Sequence, residues 1–178
     1  MNILVIQNRM GIGDMVIFLP FIKAISEKYN SPVTILVKES TKIKEYSNNL
    51  KYIKNIIYLR RNSRNDLHNG LSGFFNLKKE IECNSFDKVF IFNSSLRYRL
   101  ICSLTGIKKI YQYPLFEKKE QHLIKAAQKL LEKINLKVES NPQIEIDENS
   151  IKLAKQNLSI SNNKINVLLG IGGSGPSK

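Results

Sequence analysis

The chain is short of several things, and each shortage closes off a class of protein. Two cysteines in 178 residues, Cys83 and Cys102, make no CxxC pair and no Cys/His cluster. This excludes a disulfide framework and a cysteine-based metal site, and it fits a reducing compartment. The two histidines, His68 and His122, stand apart from any acidic or thiol partner at a telling spacing, so each reads as structural rather than catalytic. No basic, apolar and small-residue succession opens the chain, so Met1–Ile6 is not a signal peptide. The apolar stretch from Met15 to Ile25 is broken by Pro20 and Lys23 and is too short to span a bilayer. Repeats and low-complexity tracts are absent. The expected location is therefore the cytoplasm, and a peripheral contact with the inner membrane stays compatible with it.

Acidic residues are also scarce: 15 Asp plus Glu stand against 28 Lys plus Arg, for a net charge of +13. A surplus of that size favours an anionic partner such as a phosphorylated substrate, nucleic acid or an acidic membrane, although a lysine-rich solvated surface gives the same count. At 42% hydrophobic and 24% charged, the composition is that of a globular domain.

What is present is an alternation of buried-strand and helix patterns, the signature of a parallel sheet covered by helices. Ile3–Ile6 reads as a central strand buried on both faces. A helix is expected from about Met15 to Tyr29, with a kink or break at Pro20. Further strands are expected at 33–37, 56–59, 88–92 and 109–112, and further helices at 74–82, 96–105 (ended by Gly106) and 121–134. Residues 60–73 read as a long exposed loop. The texture changes after 137, so the organisation reads as a Rossmann-like domain over 1–140 and a linker with a helix over 141–164. Over 165–178 a buried strand runs into a glycine-rich loop, which reads as the truncated start of a second α/β domain. On this reading the chain is a fragment.

Three groups of residues carry candidate chemistry. The turn Gly11-Ile12-Gly13-Asp14 follows the first strand. It matches the dinucleotide fingerprint only in part, because Val16 replaces the third glycine and Lys38 rather than an acid follows strand two. Asp14 can cap the helix, or it can act as general base on a hydroxyl at the sheet edge where ligands bind. The second group is the terminal loop. Backbone N–H groups of Gly172, Gly173 and Ser174 can form an anion nest, with Ser177 and Lys178 beside a phosphate. The third is Arg60, Arg61 and Arg64 in the long loop, joined by Arg97 at a helix start. Guanidinium groups match phosphate and carboxylate geometry, and solvated loop arginines fit equally well.

In this order the motifs resemble the heptosyltransferase-like glycosyltransferases of family 9, which build the lipopolysaccharide core. The resemblance rests on Ile3-Leu4-Val5-Ile6, Gly11-Ile12-Gly13-Asp14, Pro20, Phe86-Asp87-Lys88-Val89-Phe90-Ile91, Gln121-His122-Leu123 and Gly172-Gly173-Ser174-Gly175-Pro176-Ser177-Lys178. It implies the amino-terminal half of a GT-B fold and inverting, metal-independent transfer without a cofactor. The implied donor is a nucleotide-diphosphate sugar, ADP-heptose-like, and the implied acceptor an acidic glycolipid. It casts Asp14 as the base, Lys178 at the leaving group, and Arg9, Arg60, Arg61, Arg64 and Arg97 toward the acceptor. Gln7-Asn8-Arg9 and Phe92-Asn93-Ser94 depart from the family pattern, the first in lacking a basic-plus-hydroxyl run and the second in lacking an acid. A non-catalytic nucleotide- or anion-binding module is the competing reading. Nucleic-acid binding is disfavoured, since Phe90 and Phe92 lie in a core-like strand rather than on an exposed basic face.

Overall fold

The computed structural model describes residues 1–114, 122–161, 163 and 165–167. The chain divides into two compact units, Met1–Glu145 and Ile146–Lys178. The first extends past residue 140 because Glu145 is tied into it: its carboxylate lies 3.6 Å from Lys23, and its carbonyl accepts a bond from Asn49.

Five parallel strands form the sheet of the first unit: β1 (Ile3–Ile6), β2 (Val33–Val37), β3 (Ile53–Tyr58), β4 (Lys88–Ile91) and β5 (Lys109–Gln112). Their order is β3-β2-β1-β4-β5, with β1 at the centre. The α/β parallel-sheet class expected from the alternation is the one observed. Every residue of β1 and β2 is buried, as two covered faces demand. Side chains alternate between those faces. Ile3 and Val5 point into one cluster with α1 (Ile12–Tyr29) and α4 (Leu123–Glu132). Leu4 and Ile6 point into the other with α2 (Gly70–Glu82) and α3 (Leu96–Leu104). Phe90 and Phe92 are core residues, Phe90 stacking on Tyr111 across β4 and β5 at 4.8 Å.

Several boundaries differ from expectation. Helix α1 begins at Ile12, so the glycine turn is itself the helix start, and α1 runs unbroken through Pro20. Buried Leu19, Phe21 and Ile22 flank the proline, and their packing offsets the one helix bond it removes. Helix α2 begins at Gly70 rather than at 74, so the expected loop ends at Asn69. Gly70 and Gly73 read as loop signals in sequence. Yet Gly73 sits on the buried face of α2, where a Cβ would lie 2.1 Å from the His68 carbonyl carbon. Its glycine serves close helix–loop contact.

The second unit contains α5 (Glu148–Asn157), capped by Asp147, whose carboxylate accepts from the Ser150 N–H and hydroxyl. Residues 165–167, expected to begin a buried strand, have no regular structure, and Ile165 is 95% exposed. A strand is buried only when a sheet receives it, and no described strand pairs with this segment.

Candidate functional site

In a parallel sheet every strand ends at the same edge, and the chain leaves β1 and β4 in opposite directions. Ligands of open α/β sheets bind in the crevice this reversal opens. Here the crevice lies between Gln7–Gly11, after β1, and Phe92–Ser95, after β4.

Gly11 starts α1 with φ 104, in the left-handed region that a side chain would strain. That geometry turns the chain into the helix without any side-chain cap. Asp14 is therefore in the first turn of α1 but accepts no hydrogen bond among the described residues, so the capping role open to it is not the one it takes. Its nearest charged partner is Arg9, at 3.8 Å, beyond hydrogen-bond reach. The carboxylate is 26% exposed and keeps its lone pairs free beside a guanidinium that is itself half exposed. The positive end of α1 favours a carboxylate at this position.

Across the crevice, the two departures from the family pattern meet. Asn93 donates to Asn8 at 2.8 Å, and the Asn93 carboxamide oxygen accepts from the Ser95 N–H at 2.6 Å. Asn8 in turn donates to the Tyr98 hydroxyl at 3.4 Å. The pair clamps the two turns together, a job for which neither a basic nor an acidic side chain is needed.

Beside it opens a pocket of about 320 Å³, lined by Arg9, Ser94, Gln112, Tyr113, Leu123, Lys129 and Lys133 among others. Gln112 is buried and donates to the carbonyls of Asn93 and Ser95, which fixes its amide orientation. Among the described residues its Oε1 has no hydrogen-bond partner, and neither has the buried Tyr113 hydroxyl. Burial pushes the Tyr113 phenol well up, with Arg9 pulling against it, so the group stays neutral. Unsatisfied buried polar atoms are costly, and a ligand hydroxyl is one way to satisfy them. The pocket thus combines three cations with hydroxyl-matching groups. Sequence reasoning named Arg9 and missed the rest. Gln112 had one signal, a polar residue closing a strand at the ligand edge; Lys129 on α4 and Lys133 at its carboxyl cap had only their i, i+4 spacing.

The other predicted arginines are placed differently. Arg60 lies 3.6 Å from Glu39, and both are exposed. Arg61 and Arg64 are exposed in a loop that is far from slack. Asp66 accepts from the Asn62 N–H, from the Ser63 N–H at 2.7 Å and from the Ser63 hydroxyl at 2.7 Å. These bonds hold its carboxyl below the usual range. Arg97 is structural in this setting. It donates to the carbonyls of His68 and Gly70, both at 3.0 Å, and lies over the Phe74 ring. His68 is buried, accepts from the Arg60 N–H at 3.1 Å and lies 3.0 Å from Glu80, in keeping with a structural role. The phosphate-loop candidates Gly172, Gly173, Ser174, Ser177 and Lys178 lie outside the described residues. Among the described residues, no group of His, Cys, Asp and Glu could hold a metal ion.

No family model matches the chain, and no curated protein matches it by sequence. Solved structures do match. The glycosyl transferase family 9 protein from Veillonella parvula DSM 2008 superposes with a TM-score of 0.70 at 18% identity, over 99% of this chain and 55% of that one. The chain shares the fold of that protein's matched half. ADP-heptose lipopolysaccharide heptosyltransferase II of E. coli matches with a TM-score of 0.59 at 14% identity, over 91% of this chain and 52% of its own. The E. coli heptosyltransferase WaaC, solved with ADP-2-deoxy-2-fluoro heptose, matches at 0.53 and 12%, over 79% and 50%. The chain spans about half the length of these glycosyltransferase structures.

Proposed function

We propose that this chain forms the acceptor-side wall of an inverting, metal-independent glycosyltransferase. The enzyme moves a heptose-like sugar from a nucleotide-diphosphate donor, ADP-heptose-like, to the lipopolysaccharide core or a related acidic glycan. The observation that carries the reading is Asp14: a carboxylate in the first turn of α1, at the ligand edge, free of capping duty and beside an anion pocket. The glycosyltransferase fold supports the class of reaction.

On this reading Asp14 accepts the proton of the acceptor hydroxyl as that oxygen attacks the anomeric carbon and the nucleotide diphosphate departs. Arg9, Lys129 and Lys133 hold the acidic groups of the acceptor, while Gln112 Oε1 accepts from one of its hydroxyls. Arg60, Arg61 and Arg64 reach outlying phosphate or carboxylate groups, and the segment from Gly172 to Lys178 cradles the donor phosphates. The acceptor is borne on a membrane, and the enzyme meets it from the cytoplasmic face as a peripheral protein.

The test is transfer from ADP-heptose to a phosphorylated core glycan by a protein joining this chain to a donor-binding half. Asp14→Asn is expected to lower turnover by about 10²–10⁴-fold, the usual contribution of a general base, with donor binding intact. Near-normal turnover would remove the role. The 178-residue chain by itself is expected to transfer no sugar, since it covers half the length of the fold's solved examples. Retained anion binding with no transfer by the joined protein would favour the non-catalytic binding module.

A further inference from the structure

Helices buried on one side of a sheet ordinarily turn polar residues outward. Helices α2 and α3 also turn large apolar residues outward. On α3, Leu96, Leu100 and Leu104 recur every fourth residue, opposite the buried Tyr98, Ile101 and Cys102, and all three are exposed. On α2, Leu71 is 83% and Phe75 61% exposed, and Leu67 just before the helix is exposed as well. Phe74, the neighbour of Phe75, faces α3, since Arg97 of α3 lies over its ring. The two stripes therefore run side by side over the outer surface of one helix layer. An apolar surface built from six large side chains is a docking face rather than scattered exposure.

Charge identifies what docks there. Arg61 and Arg64 stand at the Leu67 end, Lys78 and Lys79 follow Phe75 on α2, and Arg99 flanks Leu100 on α3. The acids of this region are fewer, Asp66, Glu80 and Glu82; Glu82 pairs with Lys78 at 2.7 Å, and Arg61, Arg64, Lys79 and Arg99 have no described acidic partner. Apolar side chains flanked by cations that outnumber the acids match the interface of an anionic bilayer, where leucine and phenylalanine enter the acyl boundary and Lys and Arg meet headgroups. We infer that the outer face of α2 and α3, centred on Leu71, Phe75 and Leu100, is a docking surface for an acidic lipid membrane. The inference rests on the proposed membrane-borne acceptor for its purpose, and it adds the face by which the protein reaches that acceptor. The Arg61–Arg64 loop leads from this face to the ligand edge of the sheet.

The test is flotation of the 178-residue chain with vesicles of phosphatidylcholine alone and with about 30% phosphatidylglycerol, an arm that needs no donor, acceptor or turnover. The wild type is expected to float with the anionic vesicles and to stay behind with the neutral ones. The triple variant Leu71→Ser, Phe75→Ser, Leu100→Ser is expected to bind at least about tenfold more weakly, since three apolar side chains leave the interface. Lys79→Glu with Arg99→Glu is expected to do the same. The control Lys51→Glu with Lys54→Glu carries the same charge change beside and on β3, outside α2 and α3, and is expected to change binding by no more than about twofold. The chain has no tryptophan, so Leu100→Trp provides a second readout that leaves the other five apolar residues in place: a blue shift on anionic vesicles, quenched by brominated lipid.

Failure of the wild type to float, or equal weakening by the control, overturns the inference. So does a wild type that sediments as a dimer where the triple variant is a monomer, because the face then serves a second copy. Loss of sugar transfer with flotation intact strikes the proposed reaction and leaves this face standing.

Discussion

Two turns at the same sheet edge hold arginine beside a carboxylate, and they are built in opposite ways. After β1, Gly11 shapes the turn alone, and Arg9 and Asp14 approach no closer than 3.8 Å. After β3, residues 60–69 knit themselves together through Asp66, and Arg97 from α3 closes the knot with two bonds to backbone carbonyls. The first turn leaves the side chains of Arg9 and Asp14 available to something else; the second uses its carboxylate up. An arginine in a binding-site position is informative only once its donors have been accounted for. By that measure Arg9 keeps its donors available for a ligand, and Arg97 belongs to the scaffold that carries Arg61 and Arg64.

The contrast can be broken most sharply at its two centres. Asp14→Asn should lower transfer by about 10²–10⁴-fold while leaving the melting temperature within a degree or two of wild type, because no described hydrogen bond is lost. Gly73→Ala should do the reverse. A Cβ 2.1 Å from the His68 backbone forces helix and loop apart, at a cost on the order of 3 kcal/mol in urea unfolding. An unchanged midpoint would show that the knot is slack. Arg97→Ala should cost about 1–3 kcal/mol, since two partly buried carbonyls lose charged donors. Arg61→Ala, with no described bond, should stay within about 0.5 kcal/mol of wild type; equal losses from the two would erase the distinction between scaffold and ligand arginines.

The smallest expected effect is a pH dependence. Burial, opposed by Glu80 and reinforced by Arg60 and Arg97, holds the His68 imidazole below its ordinary value of 6.5. The unfolded chain then binds the proton more readily than the folded one. Stability from this group is therefore full above the unfolded value and declines as pH falls below it toward the lowered folded value. Urea midpoints of wild type and His68→Gln, measured from about pH 7.5 down to about 5.5, should diverge in slope, with the wild type falling faster. Parallel slopes would mean that His68 titrates like a solvated histidine.

Much of this protein could be read without its structure. The fully apolar β1, the alternation of elements, the strands at 33–37 and 109–112, and Gly106 (φ 75) after α3 all follow from local pattern. That pattern is set by periodicity and turn chemistry a few residues long. The Asp14 turn was legible too, because a glycine pair between a buried strand and a helix marks the ligand edge of a parallel sheet. Gly73 inside a helix was not legible, since only the approach of His68 from another segment requires it. Nor was the Asn8–Asn93 clamp, whose members are 85 residues apart, or the pocket that joins Arg9 to Gln112, Lys129 and Lys133. The sequence by itself determined the layers of the fold and put the Asp14 turn at the carboxyl end of β1, because burial and helix starts are local matters. Which arginines are free and which are bound was decided only by tertiary structure, because a donor is satisfied by whatever the fold brings within 3 Å, and no spacing along the chain records it.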